Sequence, residues 1–252
     1  MTQPENPMAK GLPTIDVYEY GGKKDGERQK TNRRLFMQLN VFDVEAGQKA
    51  DVVAHALTHL AQESKVPAVV YADTTSPRGL GLLTWAEDPA HFVTRVRPFF
   101  AHDALSRVHL RHDFDMIGRS YASGHEPELE WMLLERPVAN VMNESYPWHV
   151  WYPLRRTGSF AKLGHEEQVG ILREHATLGM AYGQQELGHD IRLACHGLDG
   201  GDNEFLIGLV GHDLHPLSHL VQAMRKTRQT SEFIAKMGPF FVGYVIGRST
   251  GK

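Results

Sequence analysis

The chain has one cysteine, Cys195, in 252 residues, which excludes a disulfide within the chain and a cysteine-based metal cage built by one copy. No stretch approaches about eighteen consecutive apolar residues, so no membrane-spanning helix is expected. The opening MTQPENPMAKGLP has neither the apolar run of a secretory leader nor the Arg-rich amphipathic pattern of an organelle signal. A soluble, cytoplasmic protein without membrane insertion is expected. An excess of one charge is missing as well: 27 Lys plus Arg stand against 30 Asp plus Glu, which leaves no general attraction to nucleic acid or anionic lipid. The glycine pairs at 21–22 and 200–201 lack the strand-to-helix setting of a phosphate loop. There is no G-x-S-x-G elbow, and serine and cysteine nucleophiles have no local support. What is present is an ordinary globular composition, 41% hydrophobic and 23% charged, long enough for one large domain or two of about a hundred residues. The abundant residue is histidine, with 15 copies, and the question is which of them do chemistry.

Residues 1–32 are polar and broken by Pro4, Pro7, Gly21 and Gly22, and they read as an arm. From 33 to 119 the pattern gives a strand at 34–42, a helix at 46–62, strands at 67–72 and 79–85, a helix at 88–100 and a long strand at 106–117. Asp88 before Pro89 is a good N-cap with proline at the first helical position. Residues 120–146, with Gly124, Pro127 and Pro137, read as an irregular connector. From 147 to 252 the order repeats: a strand at 148–153, a long helix at about 159–188, strands at 191–196 and 204–210, a helix at 213–227 and a strand near 239–246. Phe92, Val96 and Phe99 line up with Leu217, Val221 and Met224. The chain is therefore an internal repeat of a β-α-β-β-α-β unit, an α+β protein of tandem ferredoxin-like modules that can close into a barrel.

Within the second long helix, Val169, Leu172, Ala176 and Gly179 mark one face and His175 lies within it. Ala176, Gly179 and Gly183 give that side almost no bulk. A flat surface beside a neutral imidazole suits a planar ligand, and imidazole is an ordinary axial ligand of haem iron. The alternative is a core histidine satisfied locally, with glycines that permit close packing. His212, His215 and His219, and the pair His55 and His59, have spacings a metal site could use, but exposed helix histidines account for both.

An ordered series of motifs resembles the chlorite dismutase and coprohaem decarboxylase superfamily. It runs through Tyr152-Pro-Leu-Arg-Arg, Phe160-Ala-Lys-Leu, Glu166-Glu167, Leu172-Arg-Glu-His175, Arg192-Leu-Ala-Cys-His196, a Gly-Leu-Asp-Gly turn, Glu204-Phe205, Met224-Arg225 and Gly238-Pro-Phe-Phe-Val-Gly243. The likeness covers roughly residues 147–248. It implies a dimeric α+β barrel, usually a pentamer or other homo-oligomer, that binds haem b or coprohaem III through its iron in the C-terminal half.

Residue by residue, the resemblance makes His175 the iron ligand, with Glu204 or Asp202 as the acidic partner of its other ring nitrogen. Arg192 becomes the cation above the iron that steadies anionic oxygen species. Tyr152 becomes the phenol through which decarboxylases oxidise ring propionates. Arg155, Arg156 and Arg225 become candidates to bind propionates, beside Phe160 and Gly179 in the porphyrin pocket. Phe160-Ala161 stands where chlorite dismutases have Trp-Trp and decarboxylases Trp-Tyr, and Glu135 stands where some decarboxylases have a histidine. The favoured expectation is peroxide-dependent decarboxylation of coprohaem to haem b, on the strength of Tyr152. Chlorite decomposition or a peroxidase-like reaction is the alternative that Arg192 favours. A haem carrier or sensor without turnover is the reading outside enzymes.

Overall fold

The computed structural model describes residues 12–114 and 116–252. It begins with a hairpin of β1 (Glu19–Lys24) and β2 (Glu27–Thr31). The hairpin turns through Asp25 (φ 52°) and Gly26 (φ 88°), the positive-φ pair that a two-residue type I′ turn demands. Thus 19–31 is a folded hairpin rather than a bare arm, while residues 1–11 lie outside the described residues. Polar groups hold it: the Gln29 amide donates to the Glu126 and Pro127 carbonyls and accepts from the Leu129 N–H. Hydrogen bonds do there what buried apolar surface does elsewhere.

Two β-α-β-β-α-β units follow. The first contains β3 (Phe36–Val44), α1 (Ala50–Glu63), β4 (Pro67–Asp73), β5 (Gly79–Ala86), an irregular helical run over Phe92–Val96 and Arg97–Ala101, β6 (Val108–Leu110) and β7 (Met116–Ser120). The expected long strand at 106–117 is two strands, because a 3-10 turn at His112–Phe114 carries the buried Phe114 between them. The connector also departs from expectation. It forms a helix, first as a wide turn over Trp131–Glu135 and then as α2 (Arg136–Met142), with Leu133 and Val141 buried. Proline at 137 lies inside this continuous helix, directly after the wide turn over Trp131–Glu135, where the loosened hydrogen-bond ladder accommodates its missing N–H.

The second unit contains β8 (Trp148–Arg156), α3 (His165–Gln184), β9 (His189–Ala194), β10 (Phe205–Gly211), α4 (Leu214–Met224), α5 (Arg228–Phe233), β11 (Ile234–Met237) and β12 (Phe241–Thr250). In each unit the sheet runs fourth, first, third, second strand: β7-β3-β5-β4 and β12-β8-β10-β9. Pairing of β7 with β9 and of β4 with β12 joins the two sheets edge to edge into a closed antiparallel barrel of these strands, which leaves no free edge among them.

Strand alternation divides the core. Met37, Leu39, Trp151, Ile191, Leu193 and Leu206 fill the barrel interior, each fully buried side chain of this size contributing about 1.5–3 kcal/mol. On the outside, α1 packs Val53, Leu57 and Ala61 against the first unit. Outside the second unit, α4 packs Leu217 and Leu220 against Val150, Tyr152 and Leu209. The space between α3 and the outer face of β8, β10 and β9 is where the chemistry-bearing side chains meet.

Candidate active site

The long helix α3 starts after Gly164 and places Glu166 and Glu167 in its first turn, where acidic groups favour the helix dipole. Its inward row is Ile171, His175, Leu178 and Tyr182. The expected face is rotated: Val169, Leu172 and Ala176 point outward together with Met180. His175 sits on the boundary that the inward row defines, half-buried.

The His175 ring is oriented from the opposite side of the α3–α4 layer. Its Nδ1 lies 3.2 Å from Oγ1 of the buried Thr227. That hydroxyl donates its own proton to the Met224 carbonyl at 2.8 Å, so it accepts from His175 Nδ1–H. The tautomer follows: Nε2 keeps its lone pair, and no group among the described residues takes it. Burial, and then the charge of Arg192, hold the His175 pKa below the ordinary imidazole value. A neutral imidazole with a free Nε2 is the donor an iron porphyrin requires.

The acidic residues expected beside His175 are engaged elsewhere. Asp202 pairs with Arg155 at 2.8 Å, and Glu204 pairs with Arg156 at 3.1 Å. Both arginines need counter-charges at the end of the sheet, so the partner of His175 is Thr227, a neutral hydroxyl.

Facing α3, β9 reads His-Asp-Ile-Arg-Leu-Ala. Ile191 and Leu193 enter the barrel interior, so Asp190 and Arg192 project outward on one face. Arg192 Nε lies 3.0 Å from Asp190 Oδ2. The second oxygen, Oδ1, accepts from Arg136 Nη2 of α2 at 2.6 Å. Burial raises the Asp190 carboxyl pKa, but the charges of Arg192 and Arg136 outweigh it and leave the group below its usual range. Asp190 and Arg192 each keep more than a third of their side-chain surface accessible although burial leads among the influences on both.

On β8, Tyr152 shares the face of Val150 and Leu154 and packs with α4 residues. Its ring stacks on Phe240 at 4.5 Å. Burial, and then the charge of Asp190, raise its pKa. Its hydroxyl has no hydrogen bond within the described residues. Arg225, at the end of α4, acts on Tyr152 in the opposite direction. Arg156 lies on the same face of β8 as Tyr152 and spreads over the Phe160 and Phe205 rings at 4.4 and 4.8 Å. Strand alternation puts Arg155 on the other face.

Phe160 packs with Ile171 and Phe233 in a small cluster of its own. A Cβ at Gly179 would lie 3.4 Å from Met224 Cε, an ordinary contact, so the approach of α3 to α4 does not demand glycine here. One further side chain joins the wall unannounced: Tyr121, just after β7, whose pKa burial raises and the nearby Arg192 lowers. The alternation of Asp190 with Ile191 and Arg192 was a readable signal; Tyr121, Thr227 and Arg136 come from distant segments and left none.

The other histidines gather no metal site. Among the described residues no group of three or more His, Cys, Asp or Glu side chains could hold an ion. A depression of about 590 Å³ carries His55, His59 and His102 far along the first unit, but His59 Nδ1 is 3.3 Å from Glu63. His219 is bonded to Tyr182, and His212 to Asp213. No helix among the described residues is long and apolar enough to cross a membrane.

Residues 85–246 match the chlorite dismutase family. A structure provisionally assigned as a chlorite dismutase superposes with TM-score 0.68 at 14% identity, covering 85% of this chain and 95% of its own. A double mutant of chlorite dismutase from Candidatus Nitrospira defluvii gives 0.65 at 14% identity, covering 86% and 93%. A haem-binding protein from Thermus thermophilus gives 0.64 at 16% identity, covering 85% and 92%. No protein of curated function matches by sequence. At these identities the superpositions speak for the fold.

Proposed function

The chain belongs to the chlorite dismutase family, and on that premise we propose that it is a haem-iron oxidoreductase whose porphyrin lies between α3 and the outer face of β8–β10, with coprohaem as substrate. The observation that carries this reading is the Thr227–His175 bond, which leaves Nε2 of a neutral imidazole free. Bound there, the iron porphyrin supplies a redox-active metal that reacts with peroxide.

The chain's own residues supply the rest. Thr227 fixes the ring and the tautomer of His175. Arg192 stays charged at every accessible pH and offers its outer guanidinium edge to an anionic oxygen species. Arg225 and Arg156 are the cations on the Tyr152 side, suited to ring carboxylates, although Arg156 must share itself with Glu204. Tyr152 is the only one of these groups that can give up a proton and an electron together. Each propionate that becomes a vinyl group releases carbon dioxide, one proton and two electrons, and one hydrogen peroxide takes up two electrons and two protons to form two waters.

The second reading, chlorite or peroxide decomposition with haem b as a resident cofactor, is supported by the partly exposed Arg192 guanidinium, which makes no hydrogen bond among the described residues. Assembly as a homo-pentamer or other homo-oligomer and cytoplasmic residence belong to the same proposal. The deciding experiment reconstitutes the protein separately with coprohaem III and haem b, adds peroxide or chlorite, and follows the Soret band and the porphyrin mass. Loss of two carboxyl groups from coprohaem supports the first reading; intact coprohaem with chlorite consumption supports the second. Porphyrin binding without turnover would mark a carrier or sensor, and a protein that takes up neither porphyrin overturns the proposal.

A further inference from the structure

Asp190 is the one carboxylate on the β9 wall, and two arginines from different parts of the chain divide its oxygens. Arg136 Nη2 reaches Oδ1 at 2.6 Å from the first turn of α2, and Arg192 Nε lies 3.0 Å from Oδ2. The same strand position is braced a second time, because Asn140 Nδ2 of α2 donates to the Asp190 carbonyl at 3.4 Å. The closest approach of Arg192 to this carboxylate is thus through Nε, as an ion pair. Its Nη1 and Nη2 atoms make no hydrogen bond among the described residues. A free arginine side chain has several rotamers of comparable energy, and fixing it costs entropy each time it must meet a ligand. A group already fixed before the ligand arrives carries no such cost at the moment of binding.

We propose that Asp190 is a positioning residue for Arg192: held in place by Arg136, its carboxylate takes the Nε side of the Arg192 guanidinium and keeps the Nη edge free for a small anion bound in the cleft. This rests on the reading of the cleft as a haem site. It also assigns a function to α2, which carries Arg136 from the segment between the two units into the site of the second unit.

The proposal makes a prediction of sign. As a bare negative charge, Asp190 opposes anion binding, and Asp190→Asn would strengthen it. As a positioning residue, its loss weakens anion binding through the disordering of Arg192. The test measures fluoride affinity of the ferric, haem-reconstituted protein by Soret titration, for Asp190→Asn, Asp190→Glu, Arg136→Gln and Arg192→Gln. A second measurement, the ¹⁵N order parameter of the Arg192 Nε–H in porphyrin-free protein, reads the same effect without haem, and the dispersion of the backbone amide resonances in the same spectra reports whether the variant is folded.

The expected result is about a tenfold loss of fluoride affinity in Asp190→Asn, a smaller loss in Arg136→Gln, partial recovery in Asp190→Glu, and a lowered order parameter in Asp190→Asn and Arg136→Gln. Equal or tighter fluoride binding by Asp190→Asn, with Arg192→Gln still weakened, overturns the positioning role and leaves the haem-site reading intact. Fluoride binding unaffected by Arg192→Gln overturns the placement of Arg192 beside the ligand, and the role of Asp190 with it.

Discussion

Arg192 and Tyr152 share a single cross-strand neighbour: Ile207 of β10 pairs with Arg192 of β9 on one side and with Tyr152 of β8 on the other. Paired residues project to the same face of a sheet, so the fixed cation and the phenol stand in one row beneath α3, two strand spacings or about 10 Å apart along the backbone. On the proposed reading, a row of that width would let one planar ligand meet Arg192 near its centre and Tyr152 near its edge.

Tyr152→Phe separates these two roles. Phenylalanine keeps the stack on Phe240 and removes only the dissociable proton, so packing is little disturbed. Coprohaem is expected to bind as before. Mass spectrometry after peroxide addition is expected to show two carboxyl groups lost with the unaltered protein and none with the variant; equal loss in both would remove Tyr152 from the chemistry.

His175 and Thr227 form the next test. His175→Ala is expected to abolish the spectrum of the iron-ligated protein and weaken porphyrin uptake, whereas substitutions at His212, His215 and His219 leave both unchanged. Thr227→Val keeps the shape but deprives Nδ1–H of its acceptor. Loss of such an orienting partner typically costs about 10–100-fold in metal affinity, measurable as faster transfer of the porphyrin to an apo-globin acceptor. Unchanged transfer would mean that another group orients the ring.

Arg192→Gln is expected to lower turnover with peroxide or chlorite about 10²-fold, the usual consequence of removing one preorganised donor, with little change in porphyrin affinity. An unaltered rate with both oxidants would place the rate-limiting step away from this residue.

The repeat of β-α-β-β-α-β units was legible because apolar periodicity is strong wherever a helix or strand has one buried face, as in Val53, Leu57 and Ala61 of α1. The hairpin at 19–31 escapes that signal because its residues are polar on both faces, although Asp25-Gly26 carries a turn signal of its own. The rotation of α3 has a different cause. Val169, Leu172 and Met180 form an exposed apolar row that mimics a buried face, so periodicity alone selects the wrong side. The partner of His175 was beyond reach for a third reason: Thr227 meets it across 52 positions of sequence, a contact that no local pattern encodes.

One further histidine, His149, lies outside the candidate site. His149 is wholly buried, and Tyr71 donates to its Nδ1 at 2.8 Å while its Nε2–H donates to the Tyr146 carbonyl at 3.1 Å. Both nitrogens are satisfied by a neutral ring, and protonation of Nδ1 would displace the Tyr71 proton from it. Burial, and secondarily the charge of Arg248, lower its pKa from 6.5 to about 3. A depressed folded-state pKa means that the unfolded chain binds the extra proton first. The stabilisation is therefore fully present above the unfolded value near 6.5 and declines as pH falls toward the folded value, at a slope of about 1.4 kcal/mol per pH unit for one proton. Urea unfolding of the porphyrin-free protein across pH 7 to 4 is expected to show this slope added to that of the carboxylates. In His149→Gln, where no imidazole titrates, the slope should be shallower by one proton; equal slopes in the two proteins would show that His149 is not neutral in the folded state.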